Sequence, residues 1–69
     1  MAIRYKVRDM LKILKEDGWI LVRIKGSHHH FAHPRKSGVV TVPVHRLGDE
    51  LAPGTAASIL RQADLKEIK

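Results

Sequence analysis

A chain of 69 residues in which Lys and Arg outnumber Asp and Glu by 13 to 7 carries a formal charge of +6 and a pI near 10.2. A domain this small buries only about 60% of the surface of its unfolded chain, which excludes a deep multi-part cleft and directs attention to an open basic surface facing RNA or an acidic protein. There is no cysteine, so disulfide frameworks, thiolate catalysis and the common Cys-containing zinc sites are excluded as well.

The start of the chain, Met1 to Lys6, shows neither a signal-peptide pattern nor an apolar run near the ~20 residues of a membrane span, so the expected setting is the cytoplasm. Between Lys6 and Asp17, the residues Val7, Met10, Leu11 and Leu14 recur at the spacing of one helical stripe, with Arg8, Lys12 and Lys15 off it. Together with Arg4 and Lys6, those three cations read as a solvated helix face or as a further RNA contact. Gly18 supplies the left-handed residue that ends such a helix, while no Ser, Thr, Asp or Asn stands at a convincing N-cap.

Trp19 to Ile24 is rich in β-branched and aromatic residues and reads as a strand, with Ile20, Val22 and Ile24 on one face and Trp19 and Leu21 on the other. Lys25-Gly26-Ser27 follows as a hairpin loop in which Gly26 takes a positive φ. A second strand begins at His28 and runs to about His33, before Pro34 and the basic turn Arg35-Lys36-Ser37-Gly38. Alternation places His28 and His30 on one face and His29 and Phe31 on the other; Phe31 seeks the core, so His28 and His30 face outward.

Val39 to Val44 reads as the third strand, and the segment from His45 to Pro53 as a loop. Thr55 is a plausible N-cap for a last helix that buries Ala56, Ile59, Leu60 and Ala63; Leu65 follows its last turn, and residues 66–69 are expected to fray. The expectation is a single α+β domain over 1–69, in the order αβββα: a three-stranded antiparallel sheet with two helices on one face, the arrangement of double-stranded-RNA-binding domains. Tyr5 and Trp19 read as packing residues before they read as base-stacking ones.

Gly26-Ser27-His28-His29 carries the chemistry. Imidazole exchanges protons near neutral pH, and here it stands among cations suited to holding a phosphate backbone. Candidate RNA contacts are Lys25, Ser27, His30, Arg35, Lys36 and Arg46, with His28 as the general base or acid of a metal-independent cleavage that needs no cofactor. Ser27 also reads simply as a turn residue. A metal held by His28, His30 and His45 is a weaker alternative, because the spaced cysteines that mark structural zinc are missing. A noncatalytic RNA-binding module and a subunit that only assembles with an acidic protein remain open on composition alone.

Further residues extend the pattern: Gly18-Trp19 after the first helix, Gly26-Ser27-His28 entering the second strand, Phe31, Val42-Pro43 with His45, and Gly54-Thr55 followed by Ile59-Leu60-Arg61-Gln62-Ala63. This ordered set, spanning nearly the whole chain, resembles the HicA toxin family of HicA–HicB toxin-antitoxin systems. The resemblance implies a double-stranded-RNA-binding-like fold and mRNA interferase activity, that is, endoribonucleolytic cutting of mRNA, with His28 as the catalytic residue. It also implies a hetero-oligomeric complex in which a HicB-type antitoxin covers the active surface.

Overall fold

Every third or fourth residue of the first helix is apolar, and that stripe is what the fold buries. In a computed structural model describing residues 4–65, helix α1 spans Val7–Glu16 and sinks Val7, Met10 and Leu14 into the core. Strands β1 (Ile20–Lys25), β2 (His28–Ala32) and β3 (Val40–Pro43) follow, and helix α2 (Pro53–Gln62) closes the order αβββα. The expected fraying of residues 66–69 lies outside the described residues. No described helix is long and apolar enough to cross a membrane.

The missing N-cap of α1 is supplied from far along the chain. The amides of Val7 and Arg8 donate to the carbonyls of Asp49 and Leu47 at 2.8 and 3.0 Å, Leu51 N–H reaches Tyr5 O at 2.8 Å, and the Asp9 carboxylate accepts from Lys6 N–H at 3.0 Å. The helix's otherwise unpaired N–H groups are thus met by the loop after β3.

Both helices end in the same device. Gly18 N–H donates to Lys15 O and Trp19 N–H to Leu14 O, at 3.0 and 2.9 Å; Asp64 N–H donates to Arg61 O and Leu65 N–H to Leu60 O, at 3.1 and 2.8 Å. These pairs of bonds define Schellman motifs, whose left-handed residues are Gly18 (φ 99°) and Asp64 (φ 56°) and whose following apolar residues, Trp19 and Leu65, pack on the core. That geometry turns Trp19 inward, where it is 3% exposed, and Tyr5 is likewise buried, so neither ring is available for stacking on bases.

At the other end of the chain, Thr55 is not the cap of α2. Ala52 is the N-cap and Pro53 opens the helix, where its lack of an N–H removes nothing.

The sheet is antiparallel in the order β1-β2-β3. Lys25 pairs with His28, so the hairpin loop is the two residues Gly26 and Ser27, and Lys25 belongs to the strand. Gly26 has φ 59° and Ser27 has no positive φ, the pattern of a type II′ turn. Between Leu21 and Arg23 the register shifts, leaving Val22 as a bulge. An extra residue inverts the facing of everything beyond it. Ile24 therefore pairs with His29 and shares its face, instead of joining Ile20, while Arg23 and Lys25 stand opposite His30 and His28.

On the helix-covered face, Phe31, Val40 and Val42 meet Met10, Leu14, Ala56, Ile59 and Leu60 in the core. Full burial of side chains this size contributes about 1.5–3 kcal/mol each. β2 is fixed between two neighbours, and its outer face is presented to solvent on a rigid base.

Candidate active site

The outer face of the sheet carries two cross-strand rows. Lys25, His28 and Pro43 form one row across β1, β2 and β3; Arg23, His30 and Thr41 form the next. His28 is exposed at the first position of β2, and His30 is half-buried beside Thr41. The outward facing expected for both imidazoles holds. Val44 N–H donates to Ser27 O at 2.6 Å and ties the hairpin loop to the end of β3 beside His28.

The five imidazoles are in different situations. His30 Nδ1 lies 3.0 Å from Thr41 Oγ1. His29 points to the inner face and lines, with Leu11, Trp19, Leu21 and Phe31, an open apolar groove of about 640 Å³ between α1 and the sheet. His45 is exposed beyond β3. His33 Nδ1 accepts the amides of Arg35 and Lys36 at 2.9 and 3.1 Å, while Nε2 lies 2.7 Å from Asp17 O. Amides only donate and a carbonyl only accepts, so the His33 ring is held as the neutral Nε2–H tautomer. It also meets Trp19 edge-on, with centroids 5.2 Å apart. Among the described residues no group of three His, Asp or Glu side chains converges as a metal-binding cluster.

The candidate cations divide between the two ends of the sheet. Lys25 and Ser27 flank His28, and Arg46 follows Pro43 by three residues, so these lie at the hairpin end. Arg35 and Lys36 follow the opposite end of β2, roughly 13 Å away at the ~3.3 Å rise of a strand. Lys36 is committed to the fold: its Nζ donates to Asp17 Oδ2 at 2.6 Å and to Ala63 O at 3.0 Å, joining the C-terminal ends of both helices. That hydrogen bond holds the Asp17 carboxyl below its ordinary 3.8, against the opposing effect of burial; the Lys36 charge and the Trp19 indole assist.

Arg23 was not singled out by sequence reasoning. Simple alternation puts it on the face of Leu21 and Phe31, and only the bulge at Val22 turns it to the histidine face. Nothing in the sequence around Val22 announces that bulge. A second pocket, of about 280 Å³, opens beside Pro43 and His45, but Asp49 and Glu50 line it and would repel a phosphate. The cationic surface beside His28 is the outer sheet face itself.

A family model described as the HicA toxin of bacterial toxin-antitoxin systems matches residues 7–65. No curated protein matches the chain.

Proposed function

The chain belongs to the HicA toxin family, and from that premise we propose that this toxin is a metal-independent endoribonuclease that cuts mRNA in the cytoplasm, with His28 as a general acid or base. The observation that carries the proposal is the exposed His28 ring, fixed at the start of the central strand with Lys25 directly across from it.

In the proposed reaction an imidazole takes the proton of a ribose 2′-hydroxyl. The oxygen attacks the adjacent phosphorus, the P–O5′ bond breaks in line, and a proton is delivered to the departing 5′-oxygen. The products are a 2′,3′-cyclic phosphate and a 5′-hydroxyl. Lys25 and Arg23 hold the phosphate oxygens, and Arg46 extends the cationic surface past the end of β3. General acid–base help of this kind typically contributes 10²- to 10⁴-fold, a modest rate that suffices for a toxin acting on messages. An open face suits a long substrate, whose many phosphate contacts supply binding that a chain of this size has no cleft to provide.

Silencing falls to a HicB-type antitoxin that covers the same outer face in a hetero-oligomeric complex. An acidic antitoxin surface would complement Arg23, Lys25 and Arg46, and its association should speed up at low salt.

The test is the chemistry of the ends. Cleavage of a single-stranded RNA should leave 2′,3′-cyclic phosphates and stop when the sugar at the cut site is 2′-deoxy. Cleavage of the deoxy linkage, or 3′-hydroxyl products, contradicts the mechanism. Salt-sensitive RNA affinity with the RNA left intact would instead identify a noncatalytic binding module.

A further inference from the structure

Cleavage by the reaction above requires two proton transfers, one from the 2′-oxygen and one to the 5′-oxygen. We propose that His30 is the second catalytic imidazole, acting as general acid to the departing 5′-oxygen while His28 is the base; this rests on the nuclease reading of the same face.

Three observations carry it. His28 and His30 are two positions apart on one face of β2, hence about 6.6 Å apart along a strand that rises ~3.3 Å per residue. Hydrogen bonds of roughly 2.7–3 Å from each ring then reach opposite sides of one phosphodiester, as an in-line displacement demands. Each imidazole also has a cation directly across from it, Lys25 for His28 and Arg23 for His30, placed there by the Val22 bulge.

The third observation is the partner of each ring. A general acid must keep its orientation while it holds and loses a proton. Thr41 Oγ1, 3.0 Å from His30 Nδ1, allows this, because the hydroxyl accepts from Nδ1–H both while the ring is doubly protonated and after its other nitrogen has lost a proton. Nε2 is then the atom that gives up the proton. The contrast is His33, whose Nδ1 faces two amide donors and whose Nε2 faces a carbonyl, an arrangement that fixes one tautomer. Thr41 is a positioning residue in this scheme.

In the balanced step, neutral His28 takes the 2′-hydroxyl proton, O2′ bonds to phosphorus as P–O5′ breaks, and protonated His30 passes its Nε2 proton to O5′. His28 ends protonated and His30 neutral, and exchange with water restores both.

The experiment compares an RNA oligonucleotide having one ordinary linkage at the cut site with the same oligonucleotide carrying a bridging 5′-sulfur there, since a thiolate leaves without an acid. His30→Ala should lower kcat on the oxygen substrate by about 10²-fold or more, with KM little changed, and recover to near wild-type rates on the sulfur substrate. The alkaline limb of the wild-type pH–rate profile should disappear with it. Thr41→Val should shift the same limb, and Thr41→Ser should restore it.

Equal loss on both substrates, or a loss confined to KM, overturns the assignment and leaves His30 as an RNA contact. If His28→Ala still cuts the oxygen substrate, the nuclease reading of His28 fails first. A wild-type protein that cuts neither substrate overturns both. As a readout that does not depend on turnover, a nucleoside 3′-monophosphate should perturb the ring resonances of His28 and His30 together; perturbation of His28 alone contradicts the pair.

Discussion

Replacing Asp17 by asparagine should destabilise the protein through one identifiable knot. The Asp17 carboxylate accepts from Lys36 Nζ at 2.6 Å and from the indole of buried Trp19 at 3.1 Å, while its backbone carbonyl meets His33. A hydrogen bond to a charged group contributes about 1.5–3 kcal/mol. The Asp17 and Lys36 side chains remain 28% and 27% exposed, so solvent screening places the pair toward the low end, and a loss of about 1–2 kcal/mol is expected. For a chain of this length that lowers Tm by roughly 4–16 °C.

The sign with pH follows from the depressed carboxyl. Because the folded-state value lies below the ordinary 3.8, the stabilisation is complete above that value and vanishes as pH falls through the folded one. Urea melts of wild type and Asp17→Asn should therefore differ at pH 7 and converge at the acid end. A Lys36→Met change combined with it in a double-mutant cycle should show coupling of about 1 kcal/mol. A gap between the two proteins that persists unchanged into acid, or coupling near zero, would refute the knot.

Other positions give independent tests. Gly18→Ala places a side chain at φ 99° with its Cβ 2.9 Å from His33 Nε2, and should cost more than the ~1 kcal/mol of a left-handed alanine alone, read by thermal melting. Asp64→Gly relaxes a non-glycine left-handed residue at the end of α2 and should stabilise by about 0.5–1 kcal/mol in the same assay. Arg23→Ala and Lys25→Ala should each weaken RNA binding and reduce the slope of log affinity against log salt by about 1, while Lys36→Met should lower stability and leave that slope unchanged.

Much of the fold was legible because its signals are local. The stripe Val7, Met10, Leu11, Leu14, the glycines at 18 and 26, and the inward demand of Phe31 decide the elements and which way β2 faces, and through β2 they put His28 and His30 outside. What escaped is nonlocal. The cap of α1 comes from Leu47 and Asp49, about forty residues away, and no residue near Lys6 encodes it. Lys36 looked like a free turn cation because its partners, Asp17 and Ala63, meet it only in the folded chain. Pro53 outcompeted Thr55 for the start of α2 because a proline in the first turn extends the helix by three residues at no loss of a donor. The bulge at Val22 is the most consequential omission: one unpaired residue turns Arg23 away from the face it would share with Leu21 by alternation and sets it opposite His30, while Lys25, read as part of the hairpin loop, becomes a strand residue opposite His28.

The most direct measurement is the single-turnover rate of RNA cleavage by His28→Ala beside its urea melt. His28 is exposed, so its loss should leave stability within about 0.5 kcal/mol of wild type, while cleavage should fall by at least about 10²-fold. A folded His28→Ala protein that cuts RNA within a few-fold of the wild-type rate would contradict the account.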